Sequence, residues 1–524
     1  MADEQRSLGD SYDEIPYEST PFADTHPGHL ACLARLHGVN AVDPARCRML
    51  ELGCANGGNL IPLAARLPGS RFLGIELSAE QARDGAARVR ELGLGNCEVR
   101  QGDLLAMRDE GERFDYIVAH GVWSWTPPVV RERILSLAAE LLSENGILYV
   151  SYNSLPGWRM RGMLRDMLLD HVRDVSAPAA RLATAQQYLD FLEAALTDID
   201  ATNAHYLRYE IERIRTAHPS YLFHEYLESF NEPMLFRDFV QGAAGHGLDY
   251  VCDIELAMQF PAFLGEHVER LLAPIGDPLE RWQQMDFLVN RNFHQSLLCR
   301  AAAHPRREPD LDRLRGFAWF ADIKPPRKLD LRRAKAQSFT MPNGDTHAVE
   351  HPLTKAALAL LAEHYPGAVD HAELFAQARN LVRGQGGASF ADAETELLSE
   401  LFSLYATAVV GARPAAWAEQ VDQDVYRVEP VARQCAALGD GHVPAAHHRN
   451  IGLDAFSRWL VARLDGGLTR EGLLDALVTD LGEGGGLAGL LPPGTDAQSV
   501  RRQAERNLDR LLGVFRRQGV LAAE

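Results

Sequence analysis

Residues 49–58, MLELGCANGG, read together with FLGIELS at 72–78, decide the fold of this chain. Met49–Leu52 has the pattern of a short apolar strand. It runs straight into a turn built on Gly53, Gly57 and Gly58, and a helical pattern starts at Asn59. A strand, a tight glycine turn and a helix N-terminus make a floor that a nucleotide-like ligand can approach closely. Roughly 20 residues on, a second apolar strand ends at Glu76, an acid placed to accept both hydroxyls of a ribose. These features point to an adenosine-containing ligand.

A dinucleotide fingerprint wants Gly-x-Gly-x-x-Gly, and its second glycine position is Ala55 here. The pattern resembles motif I of class I S-adenosylmethionine (SAM)-dependent methyltransferases, acidic-x-Gly-x-Gly-x-Gly, with Ala55 in the middle-glycine slot. A methyl there fits if φ stays negative. Further stations follow in order: a third strand, CEVRQ; Gly-Asp-Leu, whose Asp103 would face the adenine amino group; and a fourth strand, FDYIVAHGVWSW, from Phe114. A helix at about 128–143 then leads to Ser-Glu-Asn-Gly, read as a turn into a fifth strand, ILYVSYN at 147–153. A short-chain dehydrogenase would need a Tyr-x-x-x-Lys dyad, and no lysine precedes Lys324.

Composition bounds the reading. The 524 residues allow two to four domains, and 46% hydrophobic content supplies real cores. The N-terminus is polar and no run of about 18 apolar residues occurs, which argues against a signal peptide or a membrane span. The seven cysteines form no CxxC pair and read as reduced thiols of a cytoplasmic protein, with neither a disulfide frame nor a metal site. A formal charge of −19 argues against extended nucleic-acid binding. The four lysines among 53 basic residues fit a preference for arginine codons.

The sheet is incomplete at Asn153. MLFRDFVQGAAGHGLDYVCDIELAM (234–258) reads as a helix, a Gly-Leu turn and a strand, and DFLVNRNFHQSLLCR (286–300) as a closing edge strand. The expected fold class is therefore α/β, a Rossmann-like seven-stranded sheet over residues 1–303. A lid would occupy 1–40, a helical insertion about 155–232, and a regulatory segment about 220–300. Beyond a charged linker, 310–428 opens with FAWFADI and a hairpin signal, MPNGD, whose Asn343-Gly344 suits a type I′ turn. Residues 430–524 repeat the style, giving mainly α, winged-helix-like C-terminal modules. On an acidic chain these suit protein interaction better than DNA.

On these residues the chain resembles the bacterial methyltransferases that carry a methyltransferase regulatory domain, a group that includes the rickettsial protein lysine methyltransferases. The stretches that carry it are YDEIPYESTPFADTHPGHLACLARLHG, ELGCANGGNLIPLA, HGVWSWTP, YNSLPGW, and FHEYLE followed by NEPMLFRDF. They span roughly residues 12–300; LDGG at 464–467 extends it more loosely. The resemblance implies SAM as cofactor and a nucleophilic nitrogen as methyl acceptor.

Expected cofactor contacts are Glu51, Gly53, Cys54, Ala55, Gly57, Glu76, Leu77, Asp103, Leu104, His120 and, from the lid, Tyr17. Glu51 would orient the glycine loop or the methionine amino group; the alternative is a solvated strand-end acid. His120 ends the fourth strand, where ligands sit in open α/β sheets, and is a catalytic candidate with Tyr152 and Asn153. Trp123, Trp125 and Trp158, with Tyr152 and Asn153, would form an aromatic rim for the acceptor, useful for cation–π contact with an amine, and Tyr12 of the lid is a further substrate contact; core packing of the rim is the alternative. The lid itself could instead be a disordered acidic tail. HVPAAHHRN (442–450) lacks partners at metal-ligand spacing, and KPPRKLDLRRAK (324–335) reads as a solvated linker. Transfer by in-line displacement to a protein amino group, a lysine, is the leading reading. A small-molecule or glycan methyltransferase and a non-catalytic SAM-binding regulator are the rivals. Oligomeric state leaves no trace in the sequence.

Overall fold

The structure, a computed structural model, describes residues 19–217, 219–228, 230–387, 392–417, 426–482, 484–492 and 495–521. It divides into two compact units. The first holds Ser19, Leu33–Leu60 and Leu67–Pro309; the second holds Thr20–Cys32, Ile61–Arg66 and the described residues from Asp310 onward.

The first unit is built on a seven-stranded sheet: β1 (Arg48–Leu52), β2 (Arg71–Glu76), β3 (Cys97–Gln101), β4 (Phe114–Ala119), β5 (Leu142–Asn153), β6 (Leu248–Asp253) and β7 (Phe293–Arg300). Their spatial order is β3-β2-β1-β4-β5-β7-β6. β1 to β5 run parallel, and β7 lies antiparallel to both β5 and β6. The chain leaves β1 toward β2 on one side and returns to β4 on the other. This strand-order reversal opens a crevice at the carboxyl ends of β1 and β4, where ligands bind in such sheets.

Two expectations about strands are corrected. β7 is not the closing edge, because its Leu297, Leu298 and Cys299 are fully buried between two neighbours and β6 takes the edge. Residues 286–289, read as part of that strand, end the helix Pro278–Val289, capped by Asn290 in the left-handed conformation. Ser-Glu-Asn-Gly is likewise not a free turn. β5 begins at Leu142, which pairs with Phe114 before a register shift carries the strand on to Ile147.

Side-chain alternation divides the sheet into two faces. Leu50, Leu52, Leu73, Ile75, Ile117, Ala119, Leu148, Val150, Tyr152 and Leu298 pack in one core under the helices Pro128–Leu141 and Phe236–Gly245. Between β5 and β6 the chain forms helices Trp158–His171, Pro178–Leu196 and Thr202–Thr216 around a separate apolar core, then a π-turn at Phe223–Leu227.

The second unit contains a three-stranded antiparallel sheet with Ala318–Phe320 between Val369–Asp370 and Gly411–Arg413. The predicted hairpin is present as Gln337–Thr340 with Thr346–Val349, but not through a type I′ turn. Gly344 takes a positive φ of 91° while Asn343 does not, because Asn343 uses its side-chain oxygen to accept from Asp345 N. The basic run 324–335 includes the carbonyls of Arg333 and Lys335, which accept from the buried Lys355 ammonium. Helices Pro430–Leu438, Ala455–Arg463, Arg470–Leu481 and Ala497–Arg517 accompany a second hairpin, His442–Pro444 with Asn450–Gly452. All seven cysteines are buried free thiols. Among the described residues no helix is long and apolar enough to cross a membrane.

Candidate functional site

The glycine turn is held by the end of β2. Gly53 N and Cys54 N donate to Ile75 O at 2.8 and 3.2 Å, and Ala55 N donates to Glu76 Oε2 at 2.8 Å. The turn departs from expectation at one point: Ala55 adopts φ = 50°, not a negative value, a left-handed conformation that costs a residue with a Cβ about 1–2 kcal/mol. Glu76 Oε1 also accepts from Ser78 N at 2.9 Å, so the carboxylate is fixed before any ligand arrives. Cys54 contributes backbone only. A Cβ on Gly74 would lie 2.4 Å from its Sγ, so the thiol is packed onto β2 rather than turned into the crevice.

Glu51 is buried on the face of β1 opposite the main core. Asn59 Nδ2 donates to its Oε1 at 2.7 Å, whereas Oε2 has no hydrogen-bond partner among the described residues. Burial, with Glu76 nearby, pushes the Glu51 carboxyl up to about 8. It is not the solvated strand-end acid of the alternative reading. Asp103 Oδ1 accepts from Leu105 N at 2.9 Å, shaping the loop after β3; Leu104 leans on the core, and Leu77 is 39% exposed beside Glu76.

The loop after β4 meets the glycine turn directly, since a Cβ on Gly53 would come 2.6 Å from Val122 Cγ2. His120 is fixed through Nδ1, 2.9 Å from the Tyr149 hydroxyl, which also accepts from Gln295 Nε2 at 2.8 Å. Ser151 Oγ accepts from Gly121 N at 2.8 Å, and Asn153 N donates to Ser124 Oγ at 2.8 Å. The Asn153 side chain donates from Nδ2 to Asn231 at 3.3 Å, tying the NEP stretch to the rim. The Ser19 carbonyl leaves no room for a Cβ on Gly58, so the described start of the chain crosses the glycine turn. Tyr12 and Tyr17 lie outside the described residues.

Two candidates are corrected. Tyr152 is only 1% exposed, stacks on Phe239 and His294, and points into the main core; burial pushes its phenol well above the usual range. It therefore does not reach the crevice; Tyr149, on the opposite face of the same strand, is the tyrosine that meets His120. Trp123, 3% exposed, packs edge-on against Phe239 and donates to Met234 Sδ, which is core packing and not a rim. Trp125 and Trp158 do meet, edge to face at 6.4 Å, with the Arg161 guanidinium over Trp158. Tyr149, Ser151, Val122 and Asn231 join the site from outside the sequence motifs. Strict alternation through ILYVSYN, carried back from Asn153, puts Tyr149 and Ser151 on its face and Tyr152 on the other.

Three family descriptions match the chain: "Methyltransferase domain" over residues 50–148, "Predicted methyltransferase regulatory domain" over 218–300, and "PKMT, C-terminal winged helix domain" over 427–520. An uncharacterized Rickettsia prowazekii protein, RP789, is 30% identical over 489 residues, covering 90% of this chain and 86% of that protein. A second, RP028 from the same organism, is 34% identical over 233 residues, 44% of this chain and 93% of that one. Among solved structures, PKMT2 from Rickettsia typhi in complex with AdoHcy superposes with a TM-score of 0.84 at 25% identity, covering 97% of this chain and 100% of that one. Its structure described without that ligand gives 0.85 at 26% identity with the same coverage.

Proposed function

The chain belongs to the SAM-dependent methyltransferases that carry a methyltransferase regulatory domain, and from that premise we propose that it methylates an amino group of a protein, a lysine side chain. One observation carries the acceptor class. The likeness to the rickettsial PKMT2, a protein lysine methyltransferase, runs through 97% of this chain and is not confined to the cofactor-binding sheet.

The residues present fit the cofactor. Glu51 Oε2, buried without a hydrogen-bond partner among the described residues, calls for a donor such as the ammonium of the methionine moiety. Glu76 is pre-set at the end of β2 for vicinal hydroxyls, and the turn from Gly53 to Gly57 leaves a floor without bulky side chains. Asp103 and Leu104 would border the adenine, with Leu77 covering one side. When bound, SAM supplies a methyl group on a cationic sulfur, open to in-line displacement by a nitrogen lone pair.

The protein's own contribution is to place and deprotonate that nitrogen. A lysine ammonium has a reference pKa near 10.4, so a proton must leave before the lone pair is available. His120, oriented through Nδ1 by the Tyr149 hydroxyl, is the imidazole that would take that proton. Asn153, Trp125 and Trp158 would orient the acceptor and exclude water, which also disfavours the ammonium form.

The test is incubation of the purified protein with tritiated SAM and a lysate of the source cell. Gel separation and acid hydrolysis follow. Label in a protein band that co-elutes with methylated lysine is the expected result. Label only in the small-molecule fraction would transfer the reading to a small acceptor, and SAM bound but never turned over would make the chain a regulator.

A further inference from the structure

Asn153 ends β5 on the face that carries Tyr149 and Ser151, which meet His120 and Gly121 in the loop after β4. The same loop holds its backbone, since Asn153 N donates to Ser124 Oγ at 2.8 Å. Its side-chain amide is held from elsewhere. Nδ2 donates to Asn231 Oδ1 at 3.3 Å, and Asn153 Oδ1 has no hydrogen-bond partner among the described residues. An amide is planar, with its oxygen and nitrogen on opposite sides of the carbon. Fixing Nδ2 toward Asn231 therefore turns Oδ1 away from it, as an acceptor in want of a donor.

Asn231 is placed by bonds that do not involve its side chain. Glu232 N donates to Ser124 O at 2.9 Å, Met234 N to Asn153 O at 3.1 Å, and Leu155 N to Met234 O at 2.9 Å. The Glu232 carboxylate lies 2.9 Å from Arg131 Nη1, and Arg131 Nε donates to Trp123 O and Thr126 O. All of these residues belong to the first unit. The backbone around 231 is thus stitched to the loop after β4 and to the end of β5. Yet the side chain there is a costly one, because Asn231 Nδ2 is buried with no hydrogen-bond partner among the described residues. A leucine of similar size would fill the space without stranding a donor. What leucine lacks is the oxygen that holds Asn153.

We propose that Asn231 is a positioning residue for methyl transfer: its side-chain oxygen locks the Asn153 amide so that Asn153 Oδ1 accepts from an N–H of the incoming acceptor nitrogen. This rests on the lysine-acceptor reading given above. A lysine nitrogen that has lost its proton keeps two N–H groups and one lone pair. With an N–H committed to Asn153, the lone pair has fewer directions open to it, and more encounters are productive. An amide free to turn would also present Nδ2, a donor that competes for that same lone pair. The loss would fall on the transfer step and leave cofactor binding alone.

The test compares full-length wild type, Asn231→Leu and Asn231→Asp. Each is incubated with saturating tritiated SAM and a dilution series of total protein from a lysate of the source cell. Isothermal titration gives the SAM affinity, and urea unfolding gives the stability. Asn231→Leu is expected to lower the rate at saturating lysate at least about fivefold, with the half-saturating lysate concentration and the SAM Kd within about twofold and the urea midpoint not reduced. Asn231→Asp, which still offers Asn153 Nδ2 an oxygen, is expected to run within about threefold of wild type. A role in filling space alone gives the reverse order. A loss smaller than fivefold in Asn231→Leu overturns the inference, as does an Asn231→Asp enzyme no faster than Asn231→Leu. Should Asn231→Leu not fold, Asn231→Ala takes its place under the same limits. Failure of the wild type to label protein lysine would sink the acceptor reading itself, and the inference with it.

Discussion

Tyr149 and Tyr152 stand three residues apart on β5 and point to opposite faces of the sheet. The first meets His120 at 2.9 Å, and the second stacks between Phe239 and His294 in the core. An odd offset along a strand therefore separates a tyrosine that meets His120 from one that lies in the core.

Tyr149→Phe is expected to lower methyl transfer about tenfold while leaving SAM affinity within twofold, since it removes the partner that orients His120 and not a cofactor contact. Tyr152→Phe is expected to leave both near wild type and to cost at most about 1 kcal/mol of stability, its hydroxyl having among the described residues only Ser296 at 3.3 Å. Tritium incorporation, calorimetry and urea unfolding of the two variants separate the roles. Equal loss of activity in both would place the acceptor on the wrong face of β5.

Glu51 makes cofactor binding pH-dependent. Its carboxyl, pushed by burial to about 8, is mostly protonated at pH 6 and becomes the anion an ammonium needs only as pH rises. Binding that requires the anion strengthens with pH up to about 8, by as much as roughly tenfold in Kd per unit, and then levels off. Titrations with SAM from pH 6 to 8.5 read this slope. In Glu51→Gln the slope should vanish and the affinity fall. A flat profile in wild type would mean that the methionine ammonium binds elsewhere.

The parts of this molecule legible in its sequence are those where local pattern and global role coincide. Gly53, Gly57 and the acids ending the two strands beside them could be placed because a glycine turn between a buried strand and a helix admits few arrangements. The position of β7 could not. An antiparallel strand inserted between β5 and β6 is set by long-range pairing of residues such as Tyr152 and His294, and nothing in 286–300 alone distinguishes an inner strand from an edge. The core positions of Trp123 and Tyr152 are hidden from the sequence for a related reason. Aromatic residues clustered in Gly- and Pro-rich loops look like a binding rim until the packing of Phe239 and Met234 against them is known. The bonds from Arg66 to Glu429, Ala445 and Gly519 join residues more than 360 positions apart and have no local signature.

The regulatory segment is held by a buried ionic network. His294 lies 2.8 Å from Asp253 through Nδ1 and 3.0 Å from Asp286 through Nε2, and Arg291 Nη2 is 2.8 Å from Asp253. Burial presses the Asp253 carboxyl up, but Arg291 and His294 outweigh it and hold it below the usual range. Asp253→Asn leaves Arg291 and His294 buried with too little negative charge, and a loss of about 3–5 kcal/mol is expected. Urea unfolding measures it. A loss under about 1 kcal/mol would show that water or Glu255 takes over the charge.

Acid should unfold the protein through its buried histidines. Burial is the largest cause holding His29 and His37 down at about 4 and His448 at about 3, with Arg66 and Arg413 adding to it at His448; His26 and His447 are also held well below 6.5. These imidazoles are neutral in the fold, whereas in the unfolded chain they take up protons below about pH 6.5. Stability is therefore fully present above that pH and is lost as pH falls from 6.5 toward 4. Each such histidine contributes a slope approaching 1.4 kcal/mol per pH unit. His294, raised by Asp253 and Asp286 despite burial and Arg291, acts in the opposite sense, as do Glu51 and Glu225, pushed up by burial to about 8 and about 7; these three are outnumbered by the six lowered histidines, His371 included. Urea midpoints at pH 7.5, 6.5, 5.5 and 5.0 should thus hold steady between the first two and then drop progressively more steeply. Midpoints unchanged down to pH 5.0 would mean that these histidines are reached by solvent in the fold and titrate as they do in the unfolded chain.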